Sequence, residues 1–591
     1  MKKTLMFFIT MWYLLSANTT FAFTHADSLR GSNGRGRAWW DVQKYSLNVT
    51  FDTATQSISG VSTIQFDIIG TPTDSMQIDL QEPMVIDSAY LLIGDFEGRG
   101  GIMLNYIVHA VRADVRKEGN VWWVVYDFKS LRYGKQKKNA AGRCIDSAGN
   151  EVDSFMQPQV QLAYHGTPRK AVNPPWDGGF SWKTDSAGNP WIAVSCQGLG
   201  ASVWWPCKDA QWDEPDKGMD IFLDVPTGLS AISNGRLKKV SDREKGSTNW
   251  WWEVENPINS YDVTFYIGDY VHWHDTLEGE GGQSADGMPI DTLSLDYWVL
   301  RNNEAKARKQ FAEVKPMLHC FEYWMGPYPF YEDGYKLVEA PYLGMEHQSA
   351  VAYGNKYKMG YMGFDRTGTG VGMAFDYIIV HESGHEWFGN NVTAKDMADN
   401  WIHEGITTFS EALFVECQQG RDKARTYCRG EWHNIENDKP IIGPYGVNEE
   451  GSNDMYDKGA AIMFMIRQLT NDDEKFRQML RGLGKEFYHQ TVTTAQVEKY
   501  IADHTGQDLK LFFDQYLRQK DEPKLEYTFK KKRLSYRFTN TIDGFTIPIT
   551  ISAGGKTATL YPTNQWQDMK WKKDHFLTLS KDFLYKVKSG H

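Results

Sequence analysis

The run His381-Glu382-Ser383-Gly384-His385, followed by Glu404, restricts this chain more than any other feature. On a helix, positions i and i+4 share one face, so His381 and His385 can turn two imidazoles toward one ion. Eighteen residues separate His385 from Glu404, enough to finish that helix, turn, and return a second helix beside it. Asn390-Asn391 is a stop signal for the first helix, and Trp401-Ile402-His403-Glu404-Gly405 opens or crosses the second. Two imidazoles and one carboxylate are ordinary zinc ligands and leave a fourth tetrahedral position for water. Glu382 stands where it can take a proton from that water. Asp399 has two readings, a group that orients a ligating His from behind or an N-terminal cap of the second helix. The bare H-E-x-x-H pattern arises by chance in roughly a few chains of this length in a hundred, so its context decides.

A chain of 591 residues is too long for one hydrophobic core and suggests about three or four domains. Charged residues make up 24% and hydrophobic ones 41%, a globular composition that argues against disorder. The net charge of -11 indicates no general affinity for nucleic acid or anionic lipid. The 22 Trp and 30 Tyr are read as core and strand packing, and Lys530 to Arg533 as a solvated strand end. Lys2, Lys3, the apolar run Leu5 to Leu15 and the small residues Ala17 and Ala22 form a secretory signal pattern, cleaved after Ala22 or, alternatively, Ala26. That run is short for a membrane span, no later stretch is long and apolar enough for one, and an exported protein, periplasmic or extracellular, is expected. A retained anchor is the competing reading. None of Cys144, Cys196, Cys207, Cys320, Cys417 and Cys428 forms a C-x-x-C pair. Cys417 with Cys428 and Cys196 with Cys207 are closest in sequence, and pairing stays open.

The expected architecture is multidomain α+β. After the signal, 1–22, an N-terminal antiparallel β-sheet domain is placed at 27–274. Alternation at Tyr45, Leu47, Val49 and Phe51 and a partner strand Val61 to Ile69 carry it. Further strands are expected at Val121 to Phe128, Met219 to Val225, Trp250 to Val254 and Val263 to Tyr270, with loops at Gly134 to Val152 and His165 to Gly188. Glu278 to Gly287 reads as a linker. A catalytic α/β domain follows at 275–521, with helices at Asn303 to Tyr323, Phe375 to Trp387, Thr407 to Cys417, Gly459 to Leu469, Thr494 to His504 and Leu509 to Arg518. Gly384 inside a helix costs about 1 kcal/mol against Ala, which a purely structural helix would not favour. Strands at Leu525 to Phe529, Leu534 to Phe538, Phe545 to Ile551 and Thr557 to Tyr561 place a small C-terminal β domain at 522–591.

His381-Glu382-x-x-His385-Glu386-Trp387-Phe388-Gly389-Asn390 and Trp401 to Gly405 together resemble the zinc aminopeptidase family that includes aminopeptidase N and leukotriene hydrolase. Leu343-Gly344-Met345-Glu346-His347 resembles that family's G-x-M-E-N motif, and Tyr456-Asp457-Lys458-Gly459-Ala460 its Y-x-K-G segment. Ser195-Cys196-Gln197 with Pro206 to Asp209 and Asp213 to Pro215 is similar to its substrate-side loop. The resemblance covers roughly residues 40 to 520 and implies a thermolysin-like catalytic domain. It implies one zinc on His381, His385 and Glu404, with Glu382 as general base and proton shuttle and Tyr456 as donor to the developing oxyanion. It also implies that Glu346, on the segment of Gly344 and Met345 and assisted by Gln197, binds the free α-ammonium of a peptide. A partly desolvated carboxylate holds that cation and disfavours a neutral internal bond.

Two positions depart from the pattern. Leu343 replaces the motif's first Gly, changing how closely backbone and substrate can approach. His347 replaces its final Asn and brings a group that titrates near neutral pH. The expected function is an aminopeptidase acting on peptides with free N-termini. The competing readings are an endopeptidase on the same core and a non-enzymatic peptide-binding relative.

Overall fold

The computed structural model describes residues 23–99, 102–131, 137–138, 144–145, 157–243, 246–283, 289–571 and 577–590. The signal pattern, most of the 134–152 loop and the end of the expected linker lie outside the described residues.

The N-terminal β region holds a ten-stranded sheet with Trp40–Asp52 near its middle. Tyr45, Leu47, Val49 and Phe51 point into the core as their period of two demands. The antiparallel expectation needs correction at one pairing. Trp40–Asp52 runs parallel to Met219–Pro226, in register Leu47 to Ile221 and Val49 to Leu223. Both strands carry an apolar row toward one core, and a connection of more than 160 residues leaves chain enough for a parallel return. A second, four-stranded sheet contains Gly179–Thr184, inside the expected 165–188 loop, and Pro190–Ser195, whose end delivers Gln197.

The change of sheet comes at Tyr270, and the expected linker is strand as far as Gln283. Tyr270–Gln283 pairs with Pro289–Leu300 across a register shift between Glu278 and Gly282, which absorbs the glycines as a bulge. These two strands begin a five-stranded sheet that continues through Tyr335–Glu339 and Val351–Tyr353 to Gly344–Met345 at its edge. Helices pack below it. The single helix expected at 303–323 is broken into Glu304–Gln310, a 3-10 turn and Val314–Met325. The 375–387 helix is shortened to Tyr377–Gly384, with His385 as its C-cap. Trp401–Gln419 and Asp457–Thr470 extend the expected spans, and Arg421–Glu431 and Asp473–Glu486 add helices the sequence reading passed over.

The terminal strands, beginning with Lys524–Lys530 and Arg533–Thr539, form a four-stranded and a three-stranded sheet. Their buried Leu525, Phe538 and Ile549 share one hydrophobic cluster with Phe513 and Tyr516 of the preceding helix, so this unit is cemented to the helical region. Cys320 and Cys417 are disulfide-bonded across 97 residues, joining helices Val314–Met325 and Trp401–Gln419. Neither sequence-adjacent pairing occurs: Cys196, Cys207 and Cys428 are free and buried. The break at Gly420 puts Cys417 and Cys428 on two different helices, Trp401–Gln419 and Arg421–Glu431, whereas tertiary packing brings Cys320 alongside Cys417.

Candidate metal centre and amine pocket

Three helices and one strand edge build the site. Asp376 caps the helix Tyr377–Gly384 by accepting from the Ile378 amide, and is itself held by Tyr353, Gln310 and Asn355. Gly384 faces the helix Trp401–Gln419 so closely that a Cβ would lie 2.7 Å from Ser410 Oγ and 3.0 Å from Thr407 Cγ2. Its poor helix propensity is therefore the condition for bringing Glu404 beside the two His. A second contact does the same for Tyr456: Gly405 and Gly459 touch backbone to backbone, which draws Asp457–Thr470 and its N-cap Tyr456 against the ligand helix.

The result is a buried triangle. His381 Nε2 and His385 Nε2 are 3.3 Å apart, and Glu404 Oε2 lies 3.7 and 3.3 Å from them. Tetrahedral ligands at zinc distances of about 2.0–2.1 Å sit about 3.3 Å from one another, so the triangle has the size a zinc ion requires. Glu404 Oε2 is buried and accepts no hydrogen bond among the described residues, an orphan a cation satisfies. Electrostatics agree. Burial opposes charge on His381, yet Glu404 and Glu411 outweigh it and push its pKa up to about 10. Burial likewise opposes charge on His385, and Glu404 and Glu346 raise it. The surrounding carboxylates thus demand positive charge at the point where the two imidazoles meet.

Each imidazole is fixed from behind. His381 Nδ1 lies 2.7 Å from Glu411 Oε1, and Tyr427 donates to the other Glu411 oxygen. His385 Nδ1 lies 3.1 Å from the Phe388 carbonyl. Asp399 performs neither suggested role. It accepts from Tyr445, at 2.8 Å, on the far side of the helix start, and Asn400 occupies the N-cap position. Glu411 is the orienting acid that sequence reading missed. Its signal was the spacing, seven residues or two turns beyond Glu404 on the same helix face.

Glu382 is buried beside Gly344, where a Cβ would come within 2.4 Å of its carboxylate, so the glycine of the strand edge makes room for it. Burial raises Glu382 to about 7, with His381 opposing and Glu346 adding to the rise. Glu346 follows Met345 off the edge strand and is buried. Gln197 Nε2 donates to Glu346 Oε1 at 2.7 Å and to Glu404 Oε1 at 2.9 Å, so one amide spans both ends of the site. Tyr261, also missed, donates to Glu346 Oε1 at 3.2 Å. Burial, with His385 partly opposing, raises Glu346. The Tyr456 ring stacks on His381 with centroids 6.1 Å apart. Burial, then Glu404 and Glu450, hold its hydroxyl well above the ordinary phenol range, so it remains a donor. Leu343 is half-buried, and its carbonyl accepts from the Gly354 amide. His347 does not titrate near neutrality: burial pushes it down to about 3, because its ring is sealed behind the strand edge against Tyr266.

Residues 312–516 match the Peptidase family M1 domain. The chain is 25% identical over 356 residues to leukotriene A-4 hydrolase of Xenopus laevis, an overlap of 56% of this chain and 53% of that protein. It is 21% identical over 487 residues to probable aminopeptidase 1 of Sulfurisphaera tokodaii, covering 74% and 57%. The chain thus spans little more than half the length of these curated relatives. The crystal structure of an M1 zinc metallopeptidase from Deinococcus radiodurans superposes with a TM-score of 0.61 at 18% identity, over 83% of this chain and 96% of that one, and shows a common fold. The paired helices, the edge strand and the segment between them lie within the stretch 312–516 that matches the Peptidase family M1 domain.

Proposed function

We propose that this chain is a zinc-dependent aminopeptidase that hydrolyses the first peptide bond of substrates with a free N-terminus. The observation that carries the reading is the buried Glu346 carboxylate, tied through Gln197 to the ligand Glu404 and adjacent to Glu382. A substrate ammonium placed against Glu346 forms a charge-assisted pair, and among the described residues no lysine or arginine is ion-paired to Glu346. An extended peptide running along the edge strand Gly344–Met345 then passes its first carbonyl over Glu382. His381, His385 and Glu404 would hold zinc, which supplies acidification of a water and polarisation of the scissile carbonyl.

Glu382 takes a proton from the attacking water. With a pKa of about 7 it is matched both to accept that proton and to pass it to the departing amine. Tyr456 donates to the oxygen on which negative charge grows, a contribution on the order of a hundredfold in rate. Export is part of the proposal, supported by the Lys2 to Ala22 pattern and by the Cys320–Cys417 bridge, a bond typical of oxidising compartments. Among the described residues no helix is long and apolar enough to cross a membrane. Kinetics on Leu- and Ala-terminated chromogenic amides, with free and acetylated amines, test the reading. Cleavage is expected only of the free amines, and equal rates on both would identify an endopeptidase instead.

A further inference from the structure

An aromatic series leaves the metal centre toward the surface. His381 stacks on Tyr377 at 5.2 Å between centroids, Tyr377 meets Tyr361 at 5.3 Å, and Tyr361 meets Phe364 at 5.3 Å. The series is rigid. Tyr361 and Phe364 exchange backbone hydrogen bonds of 2.9 and 3.1 Å. Arg366 lies over the rings of Tyr377 and Tyr361 and bonds to Asp457. Its outer end is apolar and open to solvent: Met362 is 45% exposed and Phe364 52%, with Met359 and Met373 beside them. Met362 also occupies the left-handed region at φ 55°, where a glycine is less strained, so a large apolar side chain is displayed in spite of its backbone.

The position of this strip relative to the site follows from one helix. Glu346 lies by the C-terminal end of Tyr377–Gly384, its carboxylate within 4.8 Å of Glu382 and of the C-cap His385, and Asn390 in the segment that follows donates to its carbonyl at 2.8 Å. Tyr361 packs on Tyr377 at the N-terminal end. Glu382 lies between. Continued along that line, a peptide whose amine rests on Glu346 and whose first bond lies over Glu382 points its remaining residues toward the strip. Burial raises the Tyr361 hydroxyl, Arg366 opposes the rise and Glu382 adds to it, so Tyr361 lies within electrostatic reach of that carboxylate.

Resting on the aminopeptidase reading, we propose that Tyr361, Met362 and Phe364 form a subsite for apolar side chains downstream of the scissile bond. The three ring-to-ring steps from His381, each of 5.2 or 5.3 Å, reach at most about 16 Å, the span of four or five extended residues at about 3.4 Å each. The favoured substrate class is therefore peptides of five residues or so whose fourth and fifth side chains are apolar, and acidic ones there are disfavoured.

The test compares Leu-Gly-Gly-Leu-Leu with Leu-Gly-Gly-Glu-Glu, using leucine p-nitroanilide, which ends at the scissile bond, as the reference. The zinc-loaded protein should favour the apolar tail about tenfold in kcat/KM, mostly through KM. In the double variant Met362→Ser, Phe364→Ser that ratio should fall to about twofold or less. Thermal unfolding of the variant, altered at exposed positions, checks that it is folded. Equal rates for the two tails in the parent, or an undiminished ratio in a folded variant, overturn the subsite. A parent that cleaves the anilide but ignores the tail loses this inference alone. One that cleaves neither anilide nor peptides loses the aminopeptidase reading and the subsite with it.

Discussion

The two ends of the site are both lined by buried carboxylates and share one amide, yet their charges are balanced differently. Gln197 reaches Glu404 and Glu346 at nearly equal distance. At the metal end, burial would raise Glu404, but His385 and His381 reverse that and hold it well below the usual carboxylate range. At the amine end, burial dominates and Glu404 adds to it, so Glu346 is raised. Asp262 nearby is fully buried, and neither of its carboxylate oxygens finds a hydrogen bond among the described residues. Burial first, then Glu346 and Glu214, hold it well above the ordinary range. The metal end carries its own imidazoles and orienting acid. The amine end gathers acids, and among the described residues the side chains that donate to Glu346, Gln197 and Tyr261, are neutral. A positive group from outside would complete it, and in the proposed function that group is a peptide ammonium.

Glu382 lies where the two ends meet, so its removal should have the largest effect. Glu382→Gln keeps shape and a hydrogen-bonding group and deletes the base. We expect kcat to fall about a thousandfold, with zinc content unchanged by elemental analysis. A variant that also lost its metal would show that Glu382 belongs to the metal end, and the division drawn above would fail.

Glu346→Gln isolates the amine end. Removing one partner of a buried charge pair costs about 2–5 kcal/mol, so kcat/KM on free-amine substrates should drop on the order of a hundredfold or more. The ratio of free to acetylated substrate should collapse toward one, since nothing then discriminates the cation. Retained discrimination would move the anchor to Asp262 or another acid.

What could be read in the chain beforehand divides along the same line. The ligands, Glu382 and Glu346 lie in short motifs because a helix face and a strand end place them by local geometry alone. Gln197 and Tyr261 reach Glu346 from 149 and 85 residues away, across two sheets, and only the motif order hinted at Gln197. Glu411 was legible in principle from helical spacing. Asp399 drew attention instead because a loop acid near a ligand resembles an orienting group until Tyr445 is found beside it. The strands Lys524–Lys530 and Arg533–Thr539 were readable because apolar alternation is written residue by residue, whereas Gln567–Lys570 and Lys586–Gly590 were passed over. The parallel pairing of Trp40–Asp52 with Met219–Pro226 and the Cys320–Cys417 bridge are tertiary choices that no local pattern carries. Gly384 looked like a blemish on its helix, and it and Gly405 are the contact points that let the helices meet.

Glu411→Gln probes the metal end alone. The carboxylate behind His381 fixes the ring and makes its other nitrogen a better ligand, and losing such a partner typically weakens metal binding about 10–100-fold. Competition with a chelator of known affinity measures this directly. Free-amine selectivity should not change, because Glu346 is untouched. A loss of selectivity equal to that of Glu346→Gln would mean that the two ends are not separable.

The smallest effect concerns His347, which borders the amine end without adding charge to it. The Tyr266 hydroxyl gives its proton to the Ala350 carbonyl at 2.7 Å, so His347 Nδ1, also 2.7 Å away, carries the hydrogen and donates to Tyr266. The folded pKa of about 3 lies below the ordinary 6.5, and burial is the cause. Between those values the unfolded chain binds a proton that the folded chain refuses. His347 therefore makes stability fall as pH drops below 6.5, by up to about 1.4 kcal/mol per unit, and the loss levels off near pH 3. His347→Gln keeps a donor for Tyr266 and removes the titration. Urea midpoints taken from pH 7 to pH 4 should decline less steeply in the variant, by about one bound proton, while the pH profile of kcat/KM keeps its shape. A profile displaced by a unit or more would mean that this imidazole does change charge beside Glu346. The amine end would then be tuned by a cation of its own, like the metal end.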